Sequence, residues 1–142
     1  MYLINIDNTN KQDIVNFLES IITIKNIDYD ILSNGVALAN NEDNICGYIT
    51  YEEFCDYGLI RYFIFSKLIE IKLINEMFAE LVNKASKNKV KSLISIGNTN
   101  EVVELFMKLN FYELDFDNFI INDKRLYGTE FEKSTILKYE IW

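Results

Sequence analysis

At 142 residues, 49% of them hydrophobic, the chain has room for one core and is expected to form a single domain over residues 1–142. A net charge of −8 opposes a broad nucleic-acid surface, since phosphate binding needs Lys and Arg gathered on one face, and it favours cationic small molecules. No apolar run approaches the roughly 20 residues of a membrane helix, and Met1 leads into Tyr2-Leu3-Ile4-Asn5 without a basic, signal-type leader, so a cytoplasmic protein without a membrane partner is expected.

Histidine is absent, and Cys46 and Cys55 form no Cys-x-x-Cys pair, which removes zinc sites and His-dependent triads. The two cysteines fall in one predicted strand region an odd number of residues apart, so an unbroken strand would point them to opposite faces and no disulfide is expected.

Tyr2 to Ile6 alternates as a short strand, and Thr9-Asn10-Lys11-Gln12 matches a capping box. Ile14, Phe17, Leu18, Ile21 and Ile22 recur at helical intervals, which predicts an amphipathic helix from Lys11 to Ile22. Asn26 to Asn34 carries no single period and is left open, with a second short helix as one alternative. Gly35 to Asn40, the turn Asn41-Glu42-Asp43-Asn44 and the β-branched and aromatic run Ile45 to Phe54 predict a hairpin. After a turn at Cys55-Asp56-Tyr57-Gly58, Leu59 to Phe65 is apolar enough for the interior of a sheet.

The longest helical pattern follows: Ile71, Ile74, Met77, Phe78, Leu81, Val82 and Ala85 share one face, which ends in Ser86-Lys87-Asn88. Lys84, Lys87, Lys89 and Lys91 cluster where that helix ends, and their simplest role is to complement the negative end of its dipole. Val90 to Ile96 reads as a buried strand, so this stretch predicts a parallel, right-handed strand-helix-strand crossover. Asn98 with Glu101 marks a helix start. Val102, Leu105, Phe106 and Leu109 form the apolar face of that helix, and Asn110 is suited to its C-cap. Phe111 to Ile121 and Ser134 to Trp142, around the polar stretch Asn122 to Lys133, predict a closing antiparallel strand pair.

This order resembles that of the GNAT superfamily of acetyltransferases. Ile45-Cys46-Gly47-Tyr48 is similar to the family's third-strand pattern, and Asn98-Thr99-Asn100-Glu101-Val102-Val103-Glu104-Leu105-Phe106-Met107-Lys108-Leu109-Asn110-Phe111 resembles its segment from an asparagine to Leu-Tyr-x-x-Leu-Gly-Phe. The resemblance covers nearly the whole chain. It implies an α/β fold with a mixed central sheet: antiparallel N-terminal strands, a parallel strand-helix-strand unit and a closing strand pair, with helices on both faces. It also implies transfer of an acetyl group from acetyl-CoA to a primary amine of a small molecule or peptide. The oligomeric state is left open, with a homodimer among the options.

Carried onto this sequence, the family's coenzyme A contacts fall on the backbone of Phe63, Ile64 and Phe65, on the stretch Ser66, Lys67, Leu68 and Ile69, and on Asn98, Asn100 and Phe106. Ser66 and the two asparagines are also natural helix caps. Three departures accompany the resemblance. The family's Arg/Gln-x-x-Gly-x-Gly/Ala turn, whose N–H groups bind the pyrophosphate, is here Phe65-Ser66-Lys67-Leu68-Ile69-Glu70-Ile71-Lys72, without glycine. Glu70 sits where a diphosphate would approach, offset in part by Lys67 and Lys72. Phe106 aligns with a tyrosine proposed to protonate the departing thiolate, and as a core residue on an amphipathic helix it needs no further role.

The third departure is Leu59-Ile60-Arg61-Tyr62, which has no carboxylate where many members carry a general base; Glu52, Glu53 and Asp56 lie nearby in sequence. No catalytic residue is assigned from the sequence. Asp28 and Asp30, with Asp115, Asp117, Asp123, Glu130 and Glu132, occupy the regions that flank the family's acceptor site, where carboxylates would attract a protonated amine. Two readings remain open: an N-acetyltransferase, or an acyltransferase fold that has lost acetyl-CoA and serves as a binding or regulatory module. Weakened or lost acetyl-CoA binding is the expected consequence of the departures.

Overall fold

The structure, a computed structural model, describes residues 1–21, 26–66, 68–114, 120–121, 124–125 and 135–141. In chain order its elements are β1 (Tyr2–Asn5), α1 (Lys11–Glu19), a 3₁₀ helix (Tyr29–Asn34), β2 (Val36–Ala39), β3 (Ile45–Phe54), β4 (Tyr57–Phe65), α2 (Ile71–Lys87), β5 (Ser92–Gly97), α3 (Asn100–Lys108), β6 (Tyr112–Glu113), β7 (Ile120–Ile121), β8 (Lys124–Arg125) and β9 (Thr135–Glu140). Seven strands form one sheet in the order β1-β2-β3-β4-β5-β9-β6, and β7 and β8 form a separate antiparallel ribbon.

The expected hairpin is β2 with β3, and β1 pairs antiparallel with β2. The expected parallel neighbours are β4 and β5, in register from Tyr57↔Ser92 to Leu59↔Ile94. The closing pair differs in detail. Among the described residues of the predicted strand from Phe111 to Ile121, Tyr112–Glu113 pairs with β9, the Leu114 N–H bonds the Ile136 carbonyl, and Ile120–Ile121 belongs to the ribbon. The returning β9 runs antiparallel to β5 over six residue pairs, from Ser92↔Glu140 to Gly97↔Thr135, so it lies between β5 and β6.

The chain packs as two compact units, Met1–Glu52 with Arg61–Asn88, and Glu53–Ile60 with Lys89–Trp142. In the first, α1 buries Ile14, Val15 and Leu18 against Ile6, Leu32, Ala37 and Tyr48, with Tyr62 and Ile64 packed on the same cluster. Each such fully buried aliphatic side chain contributes about 1.5–3 kcal/mol. The predicted stripe of α2 is observed for Ile74, Met77, Phe78, Leu81 and Ala85. Its expected first member, Ile71, is exposed, because it opens the helix beyond the reach of the core.

Two local expectations in this unit are corrected. The Thr9–Gln12 capping box is not formed: Asn10 is the N-cap and makes no side-chain cap bond. The Asp7 carboxylate takes both the Thr9 hydroxyl (2.6 Å) and its N–H (2.8 Å), and Gln12 donates to Asn16 instead. An ionised acceptor two residues away outcompetes the cap geometry. Helix α1 ends at Glu19, and Ile22 lies outside the described residues. Lys84 does more than complement a dipole. Its ammonium donates to the carbonyls of Gly35 (2.8 Å) and Ile6 (3.3 Å), and burial pulls it below the usual lysine range against the opposing pull of Glu80 and Asp7.

In the second unit Ile94 and Ile136 are buried with Tyr57, Leu59, Ile96 and Leu114 packed around them, and α3 lies against β5 and β9. Trp142, expected in the last strand, lies outside the described residues, as do Lys67, Asp115, Asp117, Asp123, Glu130 and Glu132. Cys46 is half-buried in β3 and Cys55 is exposed in the turn before β4, so both are free thiols and only one is in a strand. No helix among the described residues is long and apolar enough to cross a membrane.

Two stability measurements test this packing. A Cβ on Gly35 would run into the phenol ring of Tyr48, which is fully buried and donates to the Leu32 carbonyl at 2.7 Å. Gly35→Ala should therefore cost about 1–3 kcal/mol by overpacking, read as a lower melting temperature; an unchanged one would contradict the contact. The second concerns acid. The Thr9 hydroxyl, then the Thr9 N–H, hold the Asp7 carboxyl below its ordinary range. A depressed carboxyl contributes stability above its unfolded value and loses it as pH falls through the folded value. Asp7→Asn should flatten the decline of melting temperature as pH falls from the unfolded carboxyl value through the lower folded one, and an identical acid limb in both proteins would remove Asp7 from the account.

Candidate functional site

The predicted cofactor strand is the part of β4 beyond the parallel register. Phe63 and Phe65 share one face with ring centroids 5.3 Å apart, while Tyr62 and Ile64 turn to the core of the first unit. The strand stays attached to β3 past its end, since the Ser66 N–H donates to the Cys46 carbonyl at 2.9 Å. Tyr62 has a φ of 53°, a left-handed conformation that a side-chain-bearing residue seldom adopts within a strand. Its hydroxyl accepts the Asp28 N–H at 2.9 Å and donates to the Asn26 carbonyl at 3.2 Å. Arg61 pairs with Glu52 at 2.6 Å and lies 5.3 Å from the centre of the Tyr62 ring.

Between β4 and α2 the chain makes a turn rather than entering the helix directly. The Ile69 N–H bonds the Ser66 carbonyl at 3.1 Å, and the Leu68 N–H meets the Ser66 hydroxyl at a long 3.4 Å. Ile69 is drawn into the core at 8% exposure and Leu68 is left 87% exposed. The helix cap is consequently Glu70 and not Ser66, as the sequence suggests. Glu70 makes no side-chain cap bond, and the first turn of α2 holds no acidic residue, so the N–H groups opening a 17-residue helix are uncapped by that side chain. Lys67 lies outside the described residues.

In the second unit Asn98 is exposed and precedes the cap, which is Thr99: its hydroxyl accepts the Val102 N–H at 3.2 Å. Thr99 has the extended backbone, φ −132° and ψ 155°, that a cap needs, which moves the helix start one residue past Asn98. Asn100 is the exposed first residue of α3. The C-cap of α3 is Leu109, one residue before the expected Asn110, which follows it at φ 72° with its N–H on the Met107 carbonyl and the Phe111 N–H on the Phe106 carbonyl. Phe106 is 3% exposed and packs edge-on against Phe111 at 4.9 Å. It serves as core.

The carboxylates are committed in different ways. Asp28 accepts the Asp30 N–H at 3.1 Å and so caps the 3₁₀ helix, while Asp30 and the neighbouring Tyr29 are exposed. Glu52 is bound to Arg61, and Glu53 and Asp56 are exposed beside a turn. No group of His, Cys, Asp or Glu side chains among the described residues could hold a metal ion. The first unit thus brings together Phe63, Ile64, Phe65, Ser66, Leu68 and Ile69; Asn98, Asn100 and Phe106 belong to the second. Sequence reasoning passed over Tyr62. Its partners are 34 and 36 residues away, and no local pattern signals them.

Comparison with solved structures gives the fold. The chain superposes on N-acetylglutamate synthase from Neisseria gonorrhoeae, solved with coenzyme A and N-acetyl-glutamate, at a TM-score of 0.76 and 16% identity, covering 99% of this chain and 35% of that one. It therefore spans about a third of the synthase. A GNAT-family acetyltransferase from Staphylococcus aureus matches at 0.69 and 12% identity over 99% of both chains. A phosphinothricin acetyltransferase from Sinorhizobium meliloti, solved with acetyl-CoA, matches at 0.66 and 11% identity over 98% of this chain and 87% of that one. No family model matches the sequence, and no curated protein matches it. The mixed sheet with its parallel β4–β5 pair is the GNAT fold.

The cap assignment is open to test. Thr99→Ala should cost about 1 kcal/mol in chemical denaturation, whereas Asn98→Ala should lie within a few tenths. The reverse ranking would restore Asn98 as the cap.

Proposed function

We propose that this GNAT-fold chain is an acetyl-CoA-dependent N-acetyltransferase acting on a primary amine of a small molecule or peptide. The observation that carries the reading is the backbone of β4. Its parallel register ends at Leu59, and Ile60–Phe65 then run on to the uncapped start of α2. An extended strand offers N–H and C=O groups to an amide-bearing arm such as pantetheine, and a helix N-terminus favours the phosphates beyond it. Phe63, Ile64 and Phe65 would contribute main-chain groups, and Ser66, Lys67, Leu68 and Ile69 are the proposed contacts of the diphosphate.

The residues present fit the two halves of coenzyme A unequally. The strand suits pantetheine. The turn suits a diphosphate less well, with an exposed Leu68 in place of glycine and the Glu70 carboxylate at the helix start. Acetyl-CoA, when bound, supplies an activated thioester. The chain's own part is to hold the amine, exclude water and aim backbone N–H groups; with Glu52 on Arg61 and Phe106 in the core, positioning and electrostatics are the terms at its disposal. The acidic balance of the chain suits a protonated amine.

Calorimetry with acetyl-CoA on the wild type and on Glu70→Gln tests the cofactor, and turnover with spermidine, L-glutamate and a peptide with a free N-terminus tests the acceptor. Weak wild-type binding that improves about two- to fivefold in Glu70→Gln is expected, the size of one charge at a helix terminus. Binding unaffected by the substitution would defeat the account of the turn. No binding by either protein would defeat the enzyme and leave a module that has abandoned the cofactor.

A further inference from the structure

Among the described residues, five that are not glycine have positive φ: Asp43, Cys55, Tyr62, Lys89 and Asn110. All but Tyr62 lie in turns or just past a helix; Tyr62 is inside β4. A left-handed residue of this size is disfavoured and persists only where its surroundings over-determine it. Here they do. The ring packs on the core of the first unit, Arg61 lies over it and is itself held by Glu52, and the hydroxyl is bonded twice to the chain at Asn26 and Asp28.

Those bonds belong to a larger pattern. Residues 26–34 are held by three hydroxyls from β3 and β4: Tyr62 at Asn26 and Asp28, Thr50 on the Ile31 carbonyl at 2.6 Å, and Tyr48 on the Leu32 carbonyl at 2.7 Å. Thr50 and Tyr48 are fully buried, and they anchor the C-terminal half of the segment as core. Tyr62 alone of the three holds its N-terminal end, where Asp28 caps the 3₁₀ helix and Tyr29 and Asp30 face solvent. The residue after Tyr62 is Phe63, the first of the strand proposed to carry pantetheine. An amine that attacks beside that strand must come in from solvent past whatever is fixed to it, and this hydroxyl ties the backbone at Asn26 and Asp28 to it.

We propose that Tyr62 is a positioning residue for the acceptor amine. Its hydroxyl sets residues 26–30 against β4, so that one strained strand residue determines where the exposed face of that segment stands relative to the proposed cofactor strand. The inference rests on the acetyltransferase reading. It assigns Tyr62 no contact with the reacting atoms and no proton transfer.

Tyr62→Phe removes the hydroxyl and keeps the ring, so packing and strand conformation are retained. Three readouts are taken on wild type and variant: hydrogen exchange of the Asp28 amide, acetyl-CoA affinity, and the steady-state constants for whichever of spermidine, L-glutamate and the free-amine peptide the wild type acetylates. Loss of one or two hydrogen bonds should speed the Asp28 exchange about tenfold and raise the acceptor KM about five- to tenfold, with kcat and acetyl-CoA affinity within twofold. Unchanged exchange would overturn the latch. Faster exchange with an unchanged acceptor KM would overturn its role in positioning, as would a loss confined to acetyl-CoA affinity. A wild type that acetylates none of the three amines overturns the acetyltransferase reading and this inference with it, and the exchange measurement, which needs no turnover, still reports whether the hydroxyl holds the segment.

Discussion

A strand inside a sheet carries two rows of peptide groups, and β4 has a parallel register on its β5 side for only three residue pairs. The strand is nine residues long, so most of it lies outside that register. Three residues past the last pair, Tyr62 takes a left-handed φ, and a residue in that conformation cannot continue a regular pleat. The features of the candidate site follow from this interruption. The backbone of Phe63–Phe65 becomes the proposed amide surface, the chain must make a tight turn at Ser66–Ile69 before α2, and the helix starts only at Ile71, behind Glu70.

The energetics of that turn explain why the helix start carries an unfavourable side chain. Ile69 is buried and therefore contributes favourable transfer free energy, which fixes the turn's geometry. Leu68 is then forced outward and Glu70 falls at the cap, where its carboxylate caps nothing. Packing of one apolar side chain thus determines the electrostatics of the neighbouring helix end. Under the proposed function this is why weak cofactor affinity is expected, because the buried Ile69 cannot be exchanged for the close backbone approach that glycine permits.

Residues 26–34 illustrate how hydroxyls order a segment without a regular ladder. Each of Tyr48, Thr50 and Tyr62 satisfies a backbone group that would otherwise need its own partner. Burial pushes the Tyr48 phenol well above the usual tyrosine range, which favours the protonated, donating form. Lys84 adds a fourth tie from α2 to the Gly35 and Ile6 carbonyls. Its partial desolvation is offset only in part by nearby Glu80 and Asp7, while its ammonium is hydrogen-bonded to two carbonyls.

Periodicity determined the order of elements apart from the 3₁₀ helix, in a stretch it left open, and the β7–β8 ribbon, part of which falls in the stretch read as polar. The stripes of α1 and α2, the β2–β3 hairpin, the parallel neighbours β4 and β5 and, to within one residue, the helix end at Asn110 were all legible, because each depends on the spacing of apolar side chains or on one residue's conformational preference. Which hydroxyl caps which helix was decided elsewhere. Thr9 is captured by Asp7, Ser66 is displaced by the turn that buries Ile69, and Thr99 replaces Asn98 because its backbone is the extended one. Capping is a contest among several competent residues within one turn of chain, and differences of a few tenths of a kcal/mol settle it after the core has packed. The insertion of β9 between β5 and β6, and the strained Tyr62 with its partners 34 and 36 residues away, could only come from the tertiary structure, since a contact across that separation leaves no trace in local periodicity.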